Sequence, residues 1–476
     1  EEIEPLTFYN VLRSKKEFNE GKQSLGFMFT SVNRAFNQNS LSDNLAKNAY
    51  AFGVDGWTFL DDNKEYVLTG AFAGTYVNGS IEYLQNLQKQ PYRYFQRPDD
   101  PFETFDPERT SLTGYYGRVM LNKQQGNFYI NSALGFVSPG FEQNDLGFQW
   151  MADRINIHTV LGYRWFEPDS VFRSKQVYAS YSRSMNFSGE TISNFLWYRL
   201  GGTFKNYYEL AIGGNYNFQT YNPTLTRGGP MGINPSSYYF WVFGSTDRRE
   251  KISFNSEINL SRNSIGAKYN MLYLSLNWKP STQLTLSIGP SFEVSKALQQ
   301  WVKNISDPLA VNTYNTRYVF STIQQHTLSA NIRLNWTFTP TLSLQLFMQP
   351  FFAVGVYSDF KELAKPRTLN YNFYGQNGST INYDKDNDEY NVDPDGSGPA
   401  QSFTFGNPDF NYKSLRGTVV LRWEAMPGST LYFVWSHNQT NFDNAGEFNF
   451  ARDFKQLWNS KGDDVIMVKF SYWLDM

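Results

Sequence analysis

A period of two constrains this chain more than any other feature. Near its end, the stretch VIMVKFSYWL sends Ile466, Val468, Phe470, Tyr472 and Leu474 to one side of an extended backbone. Met467, Lys469, Ser471 and Trp473 point the other way. One side is apolar throughout, and the other carries a lysine at its centre. A strand buried on both faces has no place for Lys469. A strand with lipid on one face and a wet interior on the other accommodates it.

The pattern recurs. In MLYLSLNW, Leu272, Leu274, Leu276 and Trp278 alternate with Tyr273, Ser275 and Asn277. In NIRLNWTF, Ile332, Leu334, Trp336 and Phe338 alternate with Arg333, Asn335 and Thr337. Ile252, Phe254, Ile258 and Leu260 oppose Ser253, Asn255 and Glu257, and Leu415, Val419, Leu421 and Trp423 oppose Arg416, Arg422 and Glu424. Roughly nineteen or twenty such segments run about ten residues or more, the length a tilted membrane strand needs. The expected fold is all-β: a large antiparallel transmembrane β-barrel with long extracellular loops, occupying residues 1–476 as one domain.

A soluble sandwich shares the same period with its apolar face turned inward. The connections favour the barrel. Short turns (EGKQ, DDNK, EPDS, KPST, TPT, MPGS) alternate with long loops over residues 31–47, 78–109, 137–149, 221–235, 297–314, 359–412 and 438–463. Trp165, Phe166, Trp278, Trp336, Phe338 and Trp423 stand just before short turns, where amphipathic rings form a headgroup-level girdle. Soluble strands more often run five or six residues.

Composition narrows the function classes. The 476 residues include no cysteine, 18% aromatics and a net charge of -2, with mean hydropathy -0.51. Such a chain is too polar for a bundle of transmembrane helices and has no uninterrupted apolar run long enough to span as a helix. Without cysteine there are no disulfides, thiolate catalysis or thiolate-held zinc. Near-neutral charge gives no footprint for nucleic acid. The expected location is the outer membrane of a Gram-negative bacterium. The expected partners are the lipid bilayer and lipopolysaccharide, with outer-membrane proteins, lipoproteins and glycans as further candidates.

Counting strands back from the C terminus starts the first one, around Phe8, on the extracellular side. Bacterial single-chain barrels begin and end in the periplasm and have even strand numbers. No signal peptide stands at Glu1, so the sequence reads as a mature form or a fragment. The expectation is the C-terminal part of a longer barrel, unless one strand is miscounted; RYVFSTIQQ reads as either a strand or an extracellular hairpin. Direct pairing of the Phe8 and Phe470 segments would refute this.

Several stretches carry a family resemblance: IEYLQNLQKQPYRYFQRPD, SLTGYYGRVMLNKQQGNFYINSALGFVSPGFEQNDLGF, FTPTLSLQLFMQPF and VDPDGSGPAQSFTFGNPDFNYKSLRGTVVLRWE. With them the chain resembles an uncharacterised outer-membrane family of Bacteroidota type, catalogued as a domain of unknown function. That resemblance implies an outer-membrane barrel preceded by a carbohydrate-binding-like β-sandwich. It implies no catalytic residues.

The residues themselves supply candidate sites. The mixed faces place Glu257, Arg333, Arg416, Arg422, Glu424 and Lys469 along the lumen, where charges of both signs predict weak ion selectivity. Arg93, Tyr94, Phe95 and Arg97 follow a short helical stretch, Ile81 to Gln88, in a loop that folds into the lumen or lies across the mouth. Arginine beside aromatic rings suits sugars or anions; ordinary loop packing explains the same residues. Asp384, Asp386, Asp388, Asp393 and Asp395 form an acidic loop that reads as solvated or as a calcium site, although Glu389 stands where an EF-hand loop requires glycine. No other cofactor is expected. Glu142 and Asp145 are two acids three apart in a loop, better explained by turn formation than by glycosidase chemistry. His158, His326 and His437 show no zinc-ligand spacing.

These features read first as a non-enzymatic barrel forming a pore or part of a transport or translocation assembly. The alternative is a surface scaffold with a closed lumen that binds glycans or proteins. A barrel-borne hydrolase is the least supported reading.

Overall fold

The structure is a computed structural model describing residues 3–443 and 446–474. Twenty strands join in one antiparallel sheet. Nineteen of them form its wall: β1 (Leu6–Phe18), β2 (Gln23–Ala35), β3 (Asn48–Phe59), β4 (Tyr66–Asn78), β5 (Ser111–Lys123), β6 (Phe128–Val137), β7 (Arg154–Trp165), β8 (Phe172–Met185), β9 (Thr191–Phe204), β10 (Glu209–Asn217), β11 (Ser237–Ser245), β12 (Ile252–Asn263), β13 (Lys268–Ser281), β14 (Leu284–Ser306), β15 (Thr316–Thr339), β16 (Leu342–Leu363), β17 (Phe410–Met426), β18 (Ser429–Asp443) and β19 (Gly462–Ser471). Each pairs with its sequence neighbour along the wall. The twentieth, Tyr371–Phe373, extends the end of β16. Among the described residues, three α-helices lie in the loops: α1 (Asn39–Ser42), α2 (Ile81–Gln88) and α3 (Phe450–Asn459). No helix among the described residues is long and apolar enough to cross a membrane.

On inner wall strands such as β12, β13 and β14 the large exposed side chains fall on one face, as the period of two demands. Leu272, Leu274 and Trp278 on β13, Ile258 on β12 and Phe292 on β14 are all exposed. Their alternates Ser275 and Asn259 are buried. An apolar residue left facing outward on a soluble protein gives up hydrophobic stabilisation, whereas a bilayer supplies the missing apolar contact. Trp165, Trp278, Trp336 and Trp423 are exposed on the outward face, each near a short turn. This is the wall of a transmembrane β-barrel.

Three strands run further than the sequence pattern suggests. β14, β15 and β16 have 23, 24 and 22 residues, so the expected loop at 297–314 begins only after Ser306. RYVFSTIQQ is part of β15. The extensions carry β-bulges at Ala297/Gln300 and Phe320/Thr322. Their clean alternation fails because, beyond the bilayer, neither face is required to be apolar.

The edges of the wall are unpaired with each other. Phe8 pairs with Asn33 on β2, and Phe470 pairs with Leu431 on β18. With nineteen antiparallel wall strands, β1 and β19 run in the same direction.

Candidate functional site

Three long connections leave the wall at even intervals: residues 79–110 between β4 and β5, 218–236 between β10 and β11, and 364–409 between β16 and β17. Six strands separate each from the next, yet they meet. Arg367 Nε donates to Asp99 Oδ2 at 3.1 Å, and its Nη2 donates to the Asp99 carbonyl at 3.1 Å. The same Asp99 Oδ2 accepts from the Met231 amide at 3.0 Å. The Arg367 amide donates to the Met231 carbonyl at 2.9 Å. Arg367 also pairs with Glu190, from the turn between β8 and β9. Loops from such distant strands can touch only if the sheet curls round, and together they span its mouth.

The first loop folds inward. Ser80 caps α2 by accepting from the Tyr83 amide at 3.1 Å. The helix then buries Leu84 and Leu87 in a cluster with Ala46, Val77, Phe95 and Leu112. Val77 and Leu112 lie on the inner face of β4 and β5, opposite in parity to the exposed Phe72, Tyr76, Tyr115 and Val119. The connection at 138–153 follows it inside. A Cβ on Gly140 would stand 2.0 Å from the Thr113 carbonyl oxygen, and one on Gly114 would stand 2.0 Å from the Phe141 amide, so two glycines let this loop lie flat on β5.

An ion pair between the buried side chains of Arg93 and Glu142 ties these two connections together. Arg93 Nη2 donates to the Phe141 carbonyl at 3.1 Å, and Tyr92 donates its hydroxyl to Glu142 at 2.9 Å. Burial and the Glu142 charge push the Tyr92 phenol up to about 12. Arg34 Nη1, at the end of β2, donates to Asp145 Oδ1 at 2.6 Å. Burial opposes the Asp100 charge, but the Phe102 amide and Arg97 hold its carboxyl below the ordinary value. Asp153 accepts from the Phe187 amide at 2.8 Å, and burial pushes its carboxyl up to about 6.

The other two loops lock onto the extended strands. Gln299 on β14 donates to the Ile233 carbonyl at 3.3 Å and to the Tyr371 hydroxyl at 2.7 Å. Asn304 donates to the Thr226 carbonyl at 3.0 Å, and the Arg227 guanidinium lies 4.0 Å from the Trp301 ring centre. Within 364–409, strands Thr380–Asp384, Glu389–Asp393 and Phe403–Gly406 form a small sheet. It packs Val392 and Phe405 against Val319 of β15 and Phe360 of β16.

Arg93, Tyr94, Phe95 and Arg97 are therefore all buried inside this cap. The five aspartates divide between the two ends of one hairpin: Asp384 pairs with Glu389 near Asp386 and Asp388, while Asp393 pairs with Thr380 near Asp395. Asp384 Oδ1 accepts from the Asp386 amide at 2.9 Å, and Asp393 Oδ1 accepts from the Gly396 amide at 2.8 Å. Among the described residues, no three His, Asp or Glu side chains converge as metal ligands. Along the wall, Arg422 Nη2 donates to Glu424 at 2.8 Å, and Lys469 lies 6.0 Å from the Tyr432 ring centre. Arg333 stands 4.9 Å from the Phe347 ring centre, Glu257 accepts from Asn259 at 3.0 Å, and Arg416 lies between Gln349 and Asn438. These six stay on the wall and do not join the cap. Asp99, Glu190, Met231 and Arg367, which hold the cap together, carry no sequence signal of their own.

The chain belongs to the family described as Domain of unknown function (DUF5916), whose model matches residues 1–476. No curated protein matches it. Among solved structures it is similar to the FrpB iron transporter from Neisseria meningitidis (F3-3 variant), at 8% identity and TM-score 0.39, over 90% of this chain and 75% of that one. It is also similar to a mutant of the ferric enterobactin receptor PfeA from Pseudomonas aeruginosa, at 8% identity and TM-score 0.33, over 98% and 72%. A third is the siderophore receptor PirA from Acinetobacter baumannii, at 8% identity and TM-score 0.31, over 99% and 74%.

Proposed function

We propose that this DUF5916 member is an outer-membrane barrel serving in transport or translocation, with an outer mouth closed by interlocked loops that must be displaced for passage. The observation that carries the reading is the meeting of three evenly spaced loops at Asp99, Met231 and Arg367. A free-diffusion pore has no use for a partly buried ion-pair lock across its entrance. Salt bridges with additional hydrogen bonds hold one arrangement and can be exchanged for another. On this reading the lumen charges Glu257, Arg333, Arg416, Arg422, Glu424 and Lys469 line the route below the cap.

Closure of the wall is part of the same proposal. An unpaired backbone group in lipid costs several kcal/mol, so edges such as those of β1 and β19 must be covered. Because these strands run in the same direction, fully antiparallel closure requires an odd number of further strands. Upstream strands of the same polypeptide fit that requirement.

Conductance of the full-length protein in planar bilayers tests the reading. The wild type should be nearly silent, and Arg367→Ala should open it. A wild type that conducts freely with the cap intact would refute the lock. A silent Arg367→Ala protein whose cap has demonstrably loosened would favour a surface scaffold with a filled lumen, the reading that the same buried cap supports second.

A further inference from the structure

The connection between β18 and β19 holds α3, which lies on the outside of the wall. Asn411 Nδ2 on β17 donates to Asp453 Oδ1 at 3.0 Å, and Gln439 Nε2 on β18 donates to the Ser460 carbonyl at 2.6 Å. Phe352 on β16 meets Phe450 with ring centres 5.6 Å apart. Asn411 and Gln439 share parity with the outward Trp423, Phe433 and Trp435, and Phe352 shares it with the outward Leu344 and Leu346. The underside of α3, Asp453 and Leu457, is buried. At its N-terminus Asn449 accepts from the Arg452 amide at 3.1 Å, and Asp453 accepts from the Asn449 amide at 3.0 Å, which fixes the helix start.

Its flank carries an exposed aromatic ladder. Phe450, Phe454 and Trp458 stand four residues apart, with successive ring centres at 5.9 and 6.1 Å. They are 49%, 47% and 67% exposed. In water, such a stripe on a helix already pinned by its other face would be a liability.

The level of the helix supplies an occupant. Asn411 is twelve residues above the girdle tryptophan Trp423 on the same strand, and Gln439 is eight above Leu431, the partner of Trp423. At about 3.3 Å of rise and a tilt of about 40°, α3 sits about 20–30 Å above the girdle, at the upper border of an apolar band about 25 Å tall. Elsewhere on the wall, the same level is marked by cations. Arg262, Lys268 and Lys296 share the outward parity, about ten residues above Trp278, and Lys268 faces Lys296 across the ladder. Outward basic residues at that height suit phosphorylated headgroups. Below α3 on the outward face, Trp435 and its ladder partner Ile466 are exposed, as is Val468.

We propose that α3 is an interfacial helix whose Phe450, Phe454 and Trp458 enter the headgroup–acyl boundary of the outer leaflet. The inference rests on the wall facing lipid, and its test separates the two. The chain has no cysteine, so single substitutions Phe454→Cys, Trp458→Cys, Leu274→Cys and Lys385→Cys each accept one environment-sensitive fluorophore. The full-length protein is reconstituted in vesicles containing lipopolysaccharide and nitroxide lipids labelled near the headgroup or deep in the chain. Labels at 454 and 458 should be quenched at least twofold more by the shallow nitroxide than by the deep one, and escape aqueous iodide. The 274 label should respond to the deep nitroxide, and the 385 label to iodide. Quenching of the 454 and 458 labels by iodide, or by neither agent because protein covers them, overturns the inference when the 274 label behaves as expected. Failure at position 274 overturns the barrel wall itself.

Discussion

Arg367 reaches Asp99 across the mouth, Nε to Oδ2 at 3.1 Å, from 268 positions away in sequence. Asp99 is buried, and Arg367 also serves Glu190 and the Asp99 carbonyl. Arg367→Ala leaves a buried carboxylate without its cation. Breaking such a pair costs several kcal/mol when fully buried; with Arg367 about one-third exposed, about 2 kcal/mol is expected. Arg367→Lys should recover less than half, because an ammonium cannot reproduce the fork that serves Asp99 and Glu190 together. Limited proteolysis within residues 364–379 reads the loosened cap. Equal protection of wild type and Arg367→Ala would remove the lock.

The Arg93–Glu142 pair gives a second test, by double-mutant cycle. Both side chains are almost fully inaccessible. Arg93→Met or Glu142→Leu alone strands a charge and should cost about 3–5 kcal/mol in cap stability. The double variant should cost less than either single change, since matched apolar groups replace both charges. Hydrogen exchange of the 80–97 backbone measures each arm. Additive losses would show that the pair does not act as a unit.

The contrast between wall and cap explains what the sequence discloses. Lipid imposes a rule on every second residue, so Leu272, Leu274 and Trp278 announce a strand and its outward face at once. Turn residues such as Gly428 announce the short connections. The cap obeys no such rule. Asp99 and Arg367 sit among ordinary polar loop residues, and their pairing depends on the curl of the sheet that brings distant strands together. The extensions of β14 to β16 were hidden for a related reason: above the bilayer both faces lie against water or cap, and residues such as Thr316 and Arg317 break the alternation. The acidic run 384–395 looks concentrated in one dimension, yet a hairpin sends its aspartates to opposite ends.

Face assignment makes the third prediction. Leu274 is exposed on β13, four residues above Trp278 and so near mid-depth. Leu274→Arg should cost about 2–4 kcal/mol and depress assembly into membranes. Arg333→Ala removes an inward guanidinium beside Phe347 and should be tolerated within about 0.5 kcal/mol. Urea unfolding in lipid vesicles compares them. Equal effects would mean that lipid and water have been assigned to the wrong sides.

Asp153 predicts a pH dependence of the cap. Its carboxyl lies at the end of the 138–153 connection and is pushed up to about 6, chiefly by burial, with Asp100 and Glu190 adding repulsion and Arg97 and the Phe187 amide opposing it. In an unfolded loop the same carboxyl titrates near 3.9. Between about pH 4 and 6 the folded cap therefore binds more protons than the open one. Its stability falls as pH rises through that window, by about 3 kcal/mol in all. Asp100, held below the ordinary value, acts in the opposite sense, but only at more acidic pH. The cap should accordingly resist protease better at pH 4.5 than at pH 7, and Asp153→Asn should flatten most of the difference by fixing a neutral side chain. The amide can still accept from the Phe187 backbone, so the local hydrogen bond survives the substitution. An undiminished slope in Asp153→Asn would assign the pH response to other buried carboxyls, of which Glu103 is also raised by burial.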